Sequence, residues 1–427
     1  MRTQTSISPF GRKILYIIIS IVLISTHLNA DSGIPNDVNT HFYSGQYDTV
    51  IVTLNALKQE DPQNIEINTL LGEAYQKLQL WHEAIECYEL IYQLQPKRKS
   101  NIMDYSIVLQ KVGYADRAQK LLSEALITDS TDTNLMRMLA RLYYEEMNFL
   151  PSSQYYDELL SIDPSNSNDH MMAARCAIKL KQADRATKHY KHAHESDPLS
   201  NKIIHEYAKH LQSRDRNAEA LNLIEQCNLD VQHSQKFILL LGNIQYSLGD
   251  YKQAAVHIEM ATAFQPDNVD LIKKLGFCYY ADKQFDKAYH QFLLSEPYED
   301  DPATYYYLGL CAQEIGSKKA AVVYLDKSLS LVGPNYLPHL YLVLGQCHHD
   351  LKEYPEAIKS FKEALDVTQN DGMIYYSLAN TYNDFYADKS VAIEYYNKAL
   401  EHGLPPEIEP YIKQQIQYLQ NQMFFSE

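Results

Sequence analysis

The chain has 427 residues and a formal net charge of −16, with 54 acidic against 38 basic side chains. That excess of negative charge argues against general nucleic-acid binding, which needs a net positive surface. Hydrophobic residues make up 45% of the whole, enough to fold, so a chain that is disordered over long stretches is excluded too.

Residues 1–30 stand apart. Arg2, Arg12 and Lys13 precede an apolar run from Ile14 to Ile24 that only Tyr16 and Ser20 interrupt, and Leu28-Asn29-Ala30 offers a small residue before Asp31. This order of basic start, apolar run and small residue predicts a signal peptide and an exported protein, periplasmic or secreted. The competing reading is an uncleaved membrane anchor. Eleven helical residues span about 16 Å against a hydrocarbon core of about 30 Å, which disfavours the anchor. No later segment is long and apolar enough to cross a membrane. Removing the three basic residues of the leader takes the net charge from −16 to −19.

From residue 31 one pattern recurs every 34 residues. Residues 235–268 spell it most cleanly. Ile238, Leu241, Gly242 and Gln245 fall at positions 4, 7, 8 and 11, one stripe of a helix. Gly249-Asp250 reads as a turn. Tyr251, Ala254, Ile258 and Ala261 at positions 17, 20, 24 and 27 mark a second helix, and Pro266 at position 32 ends it. The same register runs from the leader to residue 406. The first copy, 31–64, is degenerate, keeping Gly45, Tyr47 and Pro62 but carrying Val38 and Val50 where small residues are expected. Residues 65–98 give Leu71-Gly72, Tyr75, Trp81, Ala84, Tyr88 and Pro96; 99–132 give Tyr105-Ser106, Gly113, Ala118 and Ala125. Next come 133–166 with Leu139-Ala140, Tyr143 and Tyr156, 167–200 with Ala173-Ala174, Ala186 and Tyr190, and 201–234 with Tyr207-Ala208, Ala220 and Cys227. After 235–268, residues 269–301 are one residue short, with Leu275-Gly276, Ala288 and Phe292; 302–335 give Leu308-Gly309, Gly316 and Ala321. Residues 338–371 follow a small insertion, and 372–406 carry one extra residue near Asp384–Ser390. Position 20 is Ala in nine of the eleven copies, which rules out chance periodicity. Residues 407–427 form a polar capping helix, Glu407 to Gln422, and a tail.

The 34-residue period with Leu-Gly, Tyr, Ala, Phe/Tyr, Ala and Pro resembles the tetratricopeptide repeat. The large Trp of that family's position 4 is absent here. The resemblance implies an all-α fold, a right-handed α-solenoid of tandem helix–turn–helix units, whose first helices line a concave groove and whose ligands are proteins or peptides. Some members clamp a terminal carboxylate with Lys and Asn. Here Met172 and Glu206 stand at later clamp positions, so a receptor of that kind is not expected.

Positions 2, 5, 9, 12 and 13 of the first helix lie opposite the packed stripe. Between 133 and 234 they hold Arg137, Arg141, Tyr144, Arg175, Lys179, Lys202 and Lys209, accompanied by one acid, Glu145. Arg141, Arg175 and Lys209 share position 9 and are expected to form a ladder. Lys236, Asn243, Tyr246, Lys273, Phe277, Tyr280 and Tyr306 follow as a mixed aromatic and basic stretch, and Glu314, Asp350 and Asp384 then reverse the sign at position 13. In a net negative chain, a basic strip of this kind focuses an acidic ligand. Arg grips carboxylates bidentately and Tyr supplies anchor area. Set against this is a solvated face whose charges only aid solubility.

Catalytic chemistry is not visible. Cys176, Cys278, Cys311 and Cys347 all stand at position 10, where neighbouring first helices lie about 8–10 Å apart, beyond the ~7 Å reach of a disulfide. They read as small core filler, as do Cys87 and Cys227. His189 and His192, with His194, and the run His348-His349-Asp350 lack further ligands, so exposed polar side chains are expected there and no metal site. No cofactor is implied. The sequence therefore predicts a non-catalytic exported scaffold that binds a protein or peptide, an acidic one by the charge of the groove. The alternative is a carbohydrate- or polyanion-binding solenoid, with an anionic glycan as ligand.

Overall fold

A computed structural model describes residues 34–227, 234–332, 337–368 and 371–426. Its contacts divide the chain into two compact halves, Met1–Ile203 and Ile204–Glu427. The proposed leader, 1–30, lies outside the described residues.

The N-terminal half contains α1 (Asn36–Tyr43), α2 (Tyr47–Glu60), α3 (Ile65–Lys77), α4 (Trp81–Leu94), α5 (Lys99–Lys111), α6 (Ala115–Thr128), α7 (Thr133–Glu145), α8 (Phe149–Ile162), α9 (Ser167–Lys179) and α10 (Ala183–Ser196). The boundary falls in α11 (Asn201–Gln212). The C-terminal half continues with α12 (Asn217–Glu225), α13 (Gln235–Leu248), α14 (Tyr251–Phe264), α15 (Val269–Ala281), α16 (Phe285–Ser295), α17 (Pro302–Glu314), α18 (Lys318–Leu331), α19 (Leu337–Asp350), α20 (Tyr354–Thr368), α21 (Gly372–Phe385), α22 (Ser390–Glu401) and α23 (Glu409–Ser426). Each half is an all-α solenoid of helix pairs. Within a pair the two helices pack on each other, and the second packs on the first helix of the next pair.

Three local features make each pair. The last residue of a unit caps the following first helix: Asn64, Asp132, Asn166, Asn268 and Asp371 at position 34, and Asp301 at position 33 of the shorter unit, each accept from backbone N–H groups of the first turn. Such a cap is worth about 1 kcal/mol. The turn between the helices places position 15 in the left-handed region. Gly45, Gly113, Gly249 and Gly316 do so without strain, and Gln79, Met147, Lys181, Asp215, Lys283 and Lys352 do so with φ near +60°. At position 8 a small residue meets the large side chain of position 24. A Cβ added at Gly345 would lie 2.6 Å from the Phe361 ring, and one at Gly72 2.9 Å from the Tyr88 ring.

The buried surface of a first helix is wider than the stripe of positions 4, 7, 8 and 11. Besides positions 4, 7 and 8 it includes 3 and 10: Leu135, Asp169 and Leu271 are buried at the former, Leu142, Cys176 and Cys278 at the latter. A first helix here sits between two second helices, so two flanks are covered rather than one stripe. All six cysteines are free thiols, buried except for Cys227. Cys227 does not fill a second-helix core position, because α12 ends at Glu225.

Departures from the 34-residue period have visible causes. In 269–301, α16 stops at Ser295 and a 3-10 turn, Glu296–Tyr298, with Pro297 in it, replaces the last turn. In 372–406 the extra residue widens the connection from Phe385 to Ser390. The terminal helix runs two residues later at its start and four at its end than expected. It is not polar all round, since Ile412, Ile416 and Leu419 are buried against the last helix pair.

Candidate functional site

In the N-terminal half the first-helix charges do not form one free basic strip. Arg137, at position 5 of α7, turns to Asp169 at position 3 of α9. Its Nε lies 2.9 and 3.0 Å from the two carboxylate oxygens, and Nη2 is 2.9 Å from Oδ2. Asp169 is 3% exposed and Arg137 31%. Glu145 is the one acid at positions 2, 5, 9, 12 and 13, and Asp169 comes in from position 3, on the core flank that faces the preceding first helix. Arg141 remains outward, 69% exposed, with a 3.9 Å approach to Glu145. Arg175 is half-buried and its Nη1 lies 3.7 Å from Met172 Sδ. Lys179 and Lys202 are exposed, and Tyr144 is half-buried with its ring 5.4 Å from Phe149, edge-on.

The third member of the expected ladder, Lys209, belongs to the C-terminal half, where it and Lys236 are exposed. From there the aromatic stretch forms a chain of touching rings. Tyr246 is 5.7 Å from Phe277, Phe277 is 5.4 Å from Tyr307, and Tyr307 is 5.2 Å from Tyr280 and 5.3 Å from Tyr306. Tyr246, Phe277, Tyr280 and Tyr306 are each half-buried, so their rings stay partly open. Tyr307, at position 6, is the side chain that sequence reasoning missed. It joins the others because it stacks on Phe292 of the second helix at 5.3 Å. Burial raises the hydroxyl pKa of Tyr246, Tyr280 and Tyr307, so all three are neutral donors at physiological pH.

Two cations of this stretch, Lys273 and Lys274, are already engaged. Lys273 lies 3.2 Å from Asp301 and also reaches Glu299. Lys274, unremarked in the sequence, donates to Asn243 Oδ1 at 2.7 Å and stands 5.9 Å above the Tyr246 ring. Tyr306 Oη and His339 Nδ1 are 2.7 Å apart. Tyr306 and Tyr307 also wall a cavity of about 630 Å³ with Pro302, Leu340 and His339.

The acidic end is partly neutralised as well. Asp350 meets Lys318 at 3.2 Å, and His349 Nε2 lies 3.5 Å from Asp384. Lys99 bridges Asp129 and Asp132, both at 2.7 Å. Lys318–Asp350 and His349–Asp384 join consecutive repeats, whereas Lys99 with its two aspartates, and His348 at 2.8 Å from Glu353, are paired within one repeat. His348 and His349 are therefore engaged rather than exposed polar residues.

One further expectation is corrected. His189 is not an exposed polar side chain. Its Nδ1 is 3.1 Å from Nδ1 of His170, which is 8% exposed, and the His192 ring stacks on His170 at 5.3 Å. His170 takes the position-4 place of a large residue, and the open space beside it admits His189. Among the described residues no group of three or more His, Cys, Asp or Glu could hold a metal ion. Nor is any described helix long and apolar enough to cross a membrane.

The model of the tetratricopeptide repeat matches residues 65–98 and 338–371. TPR repeat-containing protein YpiA of Bacillus subtilis (strain 168) is 22% identical over 186 residues, which is 44% of this chain and 44% of that protein. The match thus spans less than half the length of that relative. Among solved structures, a tetratricopeptide repeat protein from Parabacteroides merdae ATCC 43184 is 15% identical with a TM-score of 0.38, covering 66% of this chain and 98% of its own. The C-terminal part of a TPR repeat-containing protein from Cytophaga hutchinsonii is 16% identical with a TM-score of 0.43, covering 56% and 98%. MamA is 23% identical with a TM-score of 0.36, covering 38% and 94%. Two tetratricopeptide repeats are thus matched directly, the same position-8, position-20 and position-24 packing recurs between and around them, and repeats of this kind are suited to protein–protein interaction.

Proposed function

We propose that this chain is a non-catalytic scaffold whose first-helix face takes an extended segment of another protein. The observation that carries this reading is the ring chain Tyr246–Phe277–Tyr307–Tyr280/Tyr306 in the C-terminal half. Each neighbour pair is in contact and each outer ring is partly open, which gives anchor area already held in place, so little side-chain entropy is lost on binding. In the N-terminal half the outward cations Arg141 and Lys179, with half-buried Arg175, favour acidic side chains on a ligand there. Withdrawal of Arg137 and Lys273 into internal ion pairs leaves too few cations for a polyanion to dominate, which favours a protein ligand over an anionic glycan.

A selection of displayed random peptides on the full chain tests this. Selected peptides should be rich in Asp, Glu and aromatic residues, and Tyr280→Ala with Tyr306→Ala should weaken them at least tenfold. Peptides without that composition, or untouched by the double change, would reject the reading. Export is also a proposal, resting on Arg2, Arg12, Lys13 and the Ile14–Ile24 run. Sequencing the N-terminus of the protein from cell fractions tests it: a start at Asp31 in an extracytoplasmic fraction supports export, and intact Met1 or Arg2 in the cytoplasm contradicts it.

A further inference from the structure

We propose that His170, His189 and His192 form an acid-sensitive clasp that holds α9 and α10 together at neutral pH and opens this helix pair on acidification. The argument starts from which atoms can donate. Pro164 O can only accept, so the 3.0 Å contact with His170 Nε2 fixes the proton on Nε2. The lone pair of His170 Nδ1 then faces His189 Nδ1 at 3.1 Å, and His189 is the donor. His192, one turn from His189, stacks its ring on His170 at 5.3 Å. After a first added proton, His189 can take its Nε2–H tautomer and accept from His170 Nδ1, so the clasp fails when both rings are protonated. Protons on both Nδ1 atoms set N–H against N–H across 3.1 Å and place two charges beside the His192 ring.

No counter-charge is free to receive them. On the His170 side, Asp169 is held by Arg137 at 2.9 Å, and Asp163 accepts from the Ser165 backbone and hydroxyl. From α8, Asp157 is taken by Arg185 at 2.6 Å, which places the guanidinium near His189. On α10, Glu195 lies 3.3 Å from His192 on the exposed side. Burial, with the neighbouring His192, lowers the pKa of His170; burial, His170 and Arg185 lower that of His189 to about 4. Both values fall below that of the unfolded side chain, about 6.5. The unfolded state thus binds more protons, so the stability the clasp lends is complete above pH 6.5 and is lost as pH falls toward 4. Asp169 precedes His170 on the same turn, so opening also unseats the partner of Arg137. The clasp does not depend on what the first-helix face binds.

Hydrogen exchange on the full chain, corrected for the intrinsic pH dependence, tests it. Between pH 7 and pH 4.5, amides of α9 and α10 should exchange on the order of tens-fold faster, while α5 and α6, which contain no His, change less than about threefold. Slow exchange of Arg137 Nε–H should be lost with the same midpoint. His170→Gln with His189→Gln keeps a donor for Pro164 O but cannot titrate, and should flatten the response while matching the wild type at pH 7. An unchanged acid response in that variant, or none in the wild type, overturns the proposal. Should the variant fail to fold, imidazole C–H resonances of the wild type decide: titration of His189 near pH 4 and of His170 below the ordinary histidine value supports the clasp, and titration of both at that ordinary value overturns it.

Discussion

Arg137 of α7 grips Asp169 of α9 from two sides across 32 residues of sequence, with Nε 2.9 Å from Oδ1 and Nη2 2.9 Å from Oδ2. The carboxylate is buried and the guanidinium is not wholly so. Arg137→Ala strands a buried charge, which costs about 2–3 kcal/mol, the low end for such pairs because water reaches the Arg side. Urea unfolding measures the loss, and adding Asp169→Asn should recover part of it.

The turn at position 15 predicts opposite effects of similar changes. Gly249 has φ +78°, so Gly249→Ala forces an L side chain into the left-handed region and should destabilise by about 1 kcal/mol. Met147 already pays that strain at φ +60°, and its side chain is 77% exposed. Met147→Gly should be neutral or raise the melting temperature by a degree or two.

Position 8 tests packing. Gly345→Ala puts a methyl 2.6 Å from the Phe361 ring and should cost about 1–3 kcal/mol. Phe361→Leu makes room, so the double variant should be more stable than the sum of the single changes. Additive losses would mean that the two positions do not share one space.

Glu73 and Asp104 are half-buried carboxyls whose pKa values are both raised, by burial first and, for Glu73, by the charge of Asp104 next. A raised folded pKa favours the protonated acid, so these groups lend stability at low pH and withdraw it as pH rises through their folded values. Glu73→Gln should therefore raise the melting temperature at pH 7. The gain should vanish near pH 4, which thermal scans at the two pH values check.

The repeat architecture was legible because packing restricts residue size at few, fixed spacings: Ala254 and Ile258 can be read off one copy and found again in the others. Site detail was less so. Arg137 looked free because Asp169 stands at a core position in the next copy, and pairing across repeats leaves no local pattern. His189 looked exposed because its neighbour, His170, sits 19 residues away at a place where a large apolar residue was expected. Tyr307 was missed since position 6 lies between the packed and open faces. Register places Arg141, Tyr246, Phe277, Tyr280 and Tyr306 on the side away from the packed stripe, and the pair Gly249-Asp250 marks a turn without giving its left-handed conformation. At Met147 nothing but register marks it.

The central claim is that the ligand sits on the first helices, and site-specific photo-crosslinking addresses it most directly. A photoreactive amino acid placed at Tyr280 or Arg141 should capture a protein partner in cells. The same group at Val323 or Ile127, exposed on second helices, should not. Capture at Val323 and Ile127 with none at Tyr280 or Arg141 would contradict the account and move the binding surface to the opposite face.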